Sequence, residues 1–335
     1  MKRWGWVFAG VLFLDVLCFP FTIQAAAPFY EGKTLKIIVG HGAGGGYDRM
    51  ARLMAKYLPK YIPGKPVALV EFVPGASGLI AANQIYNITK PDGLTIVTVD
   101  RGLPIAQLLK AEGVRFDAAK FSWIGSAAVE ATVLCIRSDL PYKTFEDLLR
   151  AKEPLHLGSV GPANTSHQFP ILLKEFLGLK INLVIYPASA ESMLAIERKE
   201  ADGRAGSYSS LKPFIERGLV RPVIRGRVVE SGIENLPVDE DLTKDLKGKA
   251  IMAMRSAGDL MGRPFVAPPG SPPEAMAILR EAFSKVAKDP ELKQEAEKFM
   301  MTVEYVPAEE CLKVVNFVLS QPDDIAREFS KYIKF

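Results

Sequence analysis

Short apolar runs alternate with amphipathic stretches along most of this chain. The runs rich in aliphatic and β-branched residues predict strands at 35–39, 67–73, 94–99, 132–137, 155–159, 182–186, 220–225 and 263–267. Helical patterns lie between them. Asp48 reads as the cap of a helix that sets Met50, Leu53, Met54, Tyr57 and Leu58 on one face. Thr144 followed three residues later by Asp147 reads as a capping box. Pro272 and Pro273 open a helix with Met276, Leu279, Phe283 and Val286 in one stripe. This alternation predicts an α/β protein with largely parallel sheets flanked by helices. Residues 228–262 carry the weakest pattern and read as a long connection. No repeat of fixed period is visible.

The 335 residues suggest about two domains. Apolar content of 48% and charged content of 24% are those of an ordinary globular chain. The net charge is +4 and no block of like charges appears, so no nucleic-acid-binding stripe is expected. Lys2 and Arg3, the apolar stretch 4–21 and the small residues Ala25, Ala26 and Ala27 predict a cleaved secretory signal over residues 1–27. Asp15 argues against an uncleaved anchor, since a charge at mid-span costs about 2.5–3.5 kcal/mol. Asp15-Val16-Leu17 before Cys18 is a poor lipoprotein signal. No later segment is apolar for long enough to span a membrane. Cys135 and Cys311 fall in a strand-like and a helix-like run and read as buried thiols rather than a disulfide.

In open α/β sheets, ligands bind outside the carboxyl ends of strands. That rule selects the loops that carry the candidate residues: His41, Gly42, Ala43, Gly44 and Gly45 after the first strand, Ala76 and Ser77 after the second, and Arg101 after the third. Further along, Ser159, Asn164, Thr165 and His167 follow one strand, and Ser207 stands in a later loop. Rich in Gly, Ser, Thr and Asn, these loops expose backbone N–H groups at helix N-termini, which suits an anion. Arg101 reads either as a planar fork for a carboxylate or as a partner of Asp100. Ser77 reads as a ligand group or a helix cap, His167 as a ligand group or the residue that orients its loop. Glu191, Glu197 and Glu200 read as a solvated helix face rather than a metal site.

Gly40-x-Gly42-x-x-Gly45 also matches the dinucleotide-binding fingerprint, and Glu71 is roughly placed for its acidic residue. Two features oppose that reading. The predicted export signal removes the chain from a nicotinamide pool, and the second strand runs into another anion-type turn, Pro74 to Gly78. For a hydrolase the chain offers no GxSxG elbow and no HExxH motif. His41 with Asp100 is the pairing that keeps a secreted hydrolase under consideration. No catalytic residue, metal or cofactor is expected.

Several ordered blocks resemble the tripartite tricarboxylate transporter receptor family, the Bug-type periplasmic solute-binding proteins. They are "LKIIVGHGAGGGYDRMARLMAKYL", "VEFVPGASGLIAANQI", "KPDGLTIVTV", "LHLGSVGPANTSHQF" and "FVAPPGSPPEAMAILREAFSKVAKDPELKQ". The resemblance runs from about residue 30 onward. It implies a two-domain periplasmic binding protein (Venus-flytrap) fold, with residues 28–130 and 258–335 forming domain I and residues 131–257 domain II. It also implies a monomeric periplasmic receptor that captures a small carboxylate and delivers it to membrane permease subunits. An exported receptor that presents ligand to a signalling partner would carry the same site. The sequence departs from the family pattern at Gly40-His41, Asp100-Arg101, Ala163-Asn164 and Gly206, all in the loops expected to select the ligand.

Overall fold

The computed structural model describes residues 27–335, so the expected signal peptide, apart from Ala27, lies outside the described residues. Eleven strands among them make two sheets. The first contains β1 (Thr34–Val39), β2 (Val67–Phe72), β3 (Thr95–Thr98), β4 (Ser122–Ser126), β10 (Pro264–Ala267) and β11 (Val306–Pro307). The second contains β5 (Thr132–Arg137), β6 (Leu155–Ser159), β7 (Ile181–Ile185), β8 (Gly203–Ser207) and β9 (Val220–Arg225). Their orders are β11-β4-β10-β3-β1-β2 and β7-β6-β8-β5-β9.

Both sheets are mixed. β1 is parallel to β2 and β3, and β6 to β7 and β8. β10 enters antiparallel between β3 and β4, and β5 runs antiparallel to β8 and β9. Parallel pairing is therefore less complete than strand–helix alternation implies. The chain crosses between the sheets after β4 and again before β10, and the strands that follow each crossing enter antiparallel.

Alternation along β1 divides the first half into two cores. Leu35, Ile37 and Val39 pack with the helices Gly46–Tyr57 and Pro273–Val286. Ile38 turns the other way, onto Leu79, Ala82 and Ile85 of the helix Leu79–Asn87. The second half repeats the arrangement about β5. Leu134 and Ile136 face Phe169 and Leu173, and Val133 and Cys135 face Met193 and Ile196. A fifth cluster joins the halves behind the crossings, where Met252 and Met254 meet Ile105, Val318 and Phe329.

Three strands escape the apolar pattern. β8 reads Gly-Arg-Ala-Gly-Ser and forms because Gly203 admits the β5 backbone: a Cβ there would stand 2.2 Å from the Cys135 carbonyl. β4 is interrupted by Gly125, and β11 has two residues. Two expectations are corrected. Asp48 is not the cap of its helix; Gly45 is, and Asp48 lies inside the first turn, where it accepts the Gly44 N–H at 2.8 Å. Residues 228–262 are not a plain connection, because the helix Leu246–Ala257 runs through them, capped by Asp245. Thr144 and Asp147 do form the capping box. Cys135 and Cys311 are buried free thiols.

Candidate functional site

A cleft of about 820 Å³ lies between the halves. Four helices begin on it, Gly46–Tyr57, Leu79–Asn87, Ser189–Glu197 and Tyr208–Glu216, and none has a side-chain cap. The first N–H groups of a helix have no intrahelical acceptor, and the peptide dipoles add partial positive charge there. These ends are therefore equipped for an anion. A fifth helix, Thr165–Leu177, is capped by Asn164, whose side chain accepts the Ser166 N–H.

The turn before the 79–87 helix is conformationally costly. Ala76 and Ser77 both take left-handed backbone angles, with φ of 45° and 54°. Such residues persist where the surroundings over-determine them and gather at ligand sites. Here Ser77 Oγ donates to the Val160 carbonyl of the other half at 3.0 Å. Asn164 Nδ2 donates to Asp100 Oδ2 at 2.6 Å, and Arg263 to Ser210 Oγ at 3.0 Å. Gly42 lies so close to the opposite half that a Cβ on it would stand 2.8 Å from Ala188 Cβ. The two halves are thus in contact across the cleft, a closed arrangement.

His41 stacks on Tyr47 at 4.5 Å between ring centres, with Nε2 3.2 Å from Asp100 Oδ2. Burial alone would push the Asp100 carboxyl up; His41, the Gly102 N–H and Arg101 together hold it below its ordinary value. The Arg101 fork already has protein partners. Nε lies 3.2 Å from Asp259, Nη1 donates to Ser207 Oγ and Nη2 to Thr132 Oγ1, both at 3.0 Å. Its guanidinium lines the cleft yet ties the crossings together. Arg263 is similarly matched, 3.1 Å from Glu130.

Of the sequence candidates, His41, Gly42, Gly44, Gly45, Ala76, Ser77, Arg101, Asn164, Thr165 and Ser207 line the cleft. Ala43, Ser159 and His167 are not among its lining residues. Ala43 is exposed to solvent. Ser159 is buried, accepts the Gly161 N–H at 3.0 Å and lies 3.1 Å from His167 Nδ1, so the pair shapes the loop from behind. Burial pushes the His167 imidazole down to about 4.

Sequence reasoning missed Tyr47, Arg49, Met193, Arg204, Ser210 and Phe214, which also line the cleft. Arg204 had one signal, an arginine among small residues in Gly-Arg-Ala-Gly-Ser, but β8 itself was not legible. Among the described residues no cluster of three or more His, Cys, Asp or Glu side chains is placed to hold a metal ion.

Comparison with known proteins adds the following. The family model described as "Tripartite tricarboxylate transporter family receptor" matches residues 50–329. A Cupriavidus necator relative, described as "UPF0065 protein in gbd 5'region", is 26% identical over 295 residues, 86% of this chain and 84% of its own. The structure of the periplasmic binding protein BugD superposes with a TM-score of 0.76 at 20% identity, covering 91% of this chain and 100% of that one. An R. palustris protein solved with adipate superposes with a TM-score of 0.75 at 18% identity, covering 91% and 99%.

Proposed function

The chain belongs to the tripartite tricarboxylate transporter receptor family, whose members are solute-binding receptors rather than enzymes, and on that premise we propose that it captures a small carboxylate in the cleft and passes it to the membrane permease subunits of such a transporter. The observation that carries the reading is the convergence of four uncapped helix N-termini on one closed cleft. A carboxylate placed there accepts hydrogen bonds from both halves at once, and those bonds exist together only on closure. Ligand then shifts the population toward the closed state by its differential affinity. The adipate in the R. palustris neighbour supports the chemical class.

In this reading the receptor works as a periplasmic monomer. Residues 28–130 with 258–335 form domain I and residues 131–257 form domain II, and they hinge at the two crossings. The ligand-contacting groups are the backbone of Gly42 to Gly45, Ala76 and Ser77 on one side, and Asn164, Thr165 and Ser207 on the other. His41 and Arg101 border them. No helix among the described residues is long and apolar enough to cross a membrane.

A thermal-shift screen of malate, adipate, butanoate, hexanoate and octanoate tests the proposal. A ligand at 100 times its Kd adds about 2.7 kcal/mol of stability. A matching compaction in small-angle scattering is expected on binding. Absence of any stabilisation across the panel would overturn the carboxylate reading.

A further inference from the structure

Three buried arginines of the central region have carboxylate partners: Arg101 with Asp259, Arg263 with Glu130, and Arg255 with Asp259. Arg204 does not. It is 5% exposed and lines the cleft from the second half. Its guanidinium donates to the Ala205 carbonyl at 3.2 Å, to the Ser189 carbonyl at 2.9 Å and to Ser189 Oγ at 3.2 Å, all neutral acceptors. The ionisable group that bears on it is the Cys135 thiol, which burial keeps protonated. Burial also pulls the Arg204 guanidinium down, to about 10. Arg49, only half-buried, has Glu130 and Asp48 bearing on it and donates to the Phe299 carbonyl at 3.2 Å.

A buried cation without a counter-charge is unfavourable unless something supplies one. The surroundings leave room for it. Gly206 lies on the same face of β8, where a Cβ would stand 3.7 Å from Arg204 Nη2. The uncapped start of the 189–197 helix is alongside, since Ser189 is the residue Arg204 holds. The apolar side chains Met193, Phe214, Leu194 and Ile185 line the same cavity, together with Glu197, whose carboxylate is held by Arg217 at 2.9 Å. Exposure rises from 5% at Met193 to 47% at Leu194 and 62% at Ile185, which places Met193 as deep as Arg204 and Leu194 and Ile185 toward the mouth.

We propose that Arg204 receives the ligand's carboxylate, and that the rest of the ligand is an apolar chain or ring lying outward along Met193, Phe214, Leu194 and Ile185. This rests on the carboxylate reading above and adds to it an orientation, a charge-reading residue and an apolar body.

The test is titration calorimetry of the full chain with hexanoate and its uncharged analogue hexanamide. The wild type prefers the acid, and affinity rises about fourfold for each methylene from butanoate to octanoate. Arg204→Gln weakens hexanoate roughly 10- to 150-fold, the loss of one hydrogen bond to a charged group. It leaves hexanamide within about twofold and so removes the acid-over-amide preference. Arg204→Lys retains part of that preference. Gly206→Asp sets an internal carboxylate over the guanidinium and loses hexanoate without loss of thermal stability, which decides the matter should Arg204→Gln fail to fold. An unchanged acid-over-amide preference in Arg204→Gln, or normal hexanoate binding by Gly206→Asp, overturns the role of Arg204. Binding of adipate but of neither hexanoate nor octanoate overturns the apolar body and leaves the carboxylate reading standing. Binding of no acid in the panel removes that reading and this inference together.

Discussion

Arg101 Nε lies 3.2 Å from Asp259 Oδ1, with both side chains buried where the chain crosses between its two halves. Asp259 also meets Arg255 Nη1 at 3.2 Å and accepts from Thr132 Oγ1 at 2.9 Å. Strand β5, the 246–257 helix and the loop after β3 are thereby tied at one point. An arginine that reads in the sequence as a possible ligand grip has its fork engaged by protein partners at the crossings.

Arg101→Ala is therefore expected to act first on stability. Breaking a buried pair from one side costs about 3–5 kcal/mol, and Arg255 remains to lessen the effect here. Denaturant unfolding should show a loss near the lower end of that range. Unchanged unfolding combined with a large loss of ligand affinity would mean that Arg101 grips the ligand after all.

Ser77→Ala removes the hydrogen bond to Val160 across the cleft. One neutral hydrogen bond contributes about 0.5–1.5 kcal/mol. The closed population of the ligand-free chain, read by a fluorescence-transfer pair across the cleft, should fall by roughly 2- to 13-fold relative to the open one. No change in that ratio would show that this contact does not favour closure.

Gly42→Val tests closure by obstruction. Gly42 has no positive φ, so the substitution adds no backbone strain, yet its first added carbon already meets Ala188 at 2.8 Å. The halves should be held apart, with scattering showing no compaction at saturating adipate. Thermal stability without ligand should stay within about 0.5 kcal/mol of the parent, as for a surface substitution. Normal compaction would mean that the glycine loop does not close on the start of the 189–197 helix.

Asp239 supplies a pH dependence. It is fully buried, its carboxylate oxygens have no hydrogen-bond partner, and the Arg255 Nη2 stands 3.8 Å away. Burial raises its carboxyl to about 7 against an ordinary 3.8, with Arg255 only partly opposing. Between those values the folded chain keeps a proton that the unfolded chain has released. The contribution of Asp239 to stability therefore falls as pH rises from about 4 to about 7 and is flat above. Asp239→Asn should gain on the parent over that window, by about 1.4 kcal/mol for each unit of displacement. A stability difference independent of pH would refute the buried-proton account.

Much of the fold was legible because its signal is local. β5 follows a nearly continuous apolar run, and the 144–147 box and the paired prolines that open the 273–286 helix are short-range chemistry. What was not legible depends on distant partners. β8 carries almost no apolar signal and is a strand because β5, which lies against Gly203, and β6 pair with it. The loops that form the cleft were found from glycine and strand ends, but side-chain direction was not. Ser159 and His167 turn toward each other behind the loop, while Arg204, on a strand that could not be seen, turns into the cleft. Whether an arginine is matched by an acid is a property of the folded neighbourhood, and no spacing in the sequence encodes it.

The place of β10 also constrains the order in which the molecule can assemble. The second sheet is built from one continuous stretch, β5 to β9, and has all its strands by residue 225. The first sheet has β1, β2 and β3 paired early, but β4 joins them only through β10, more than a hundred residues later. β4 must therefore wait with both edges open while the second half forms. Such long-range pairings are slow, and unpaired edges are prone to join other chains meanwhile. During synthesis the second half is the unit able to mature first, and the arrival of residues 264–267 is the step that seals the first.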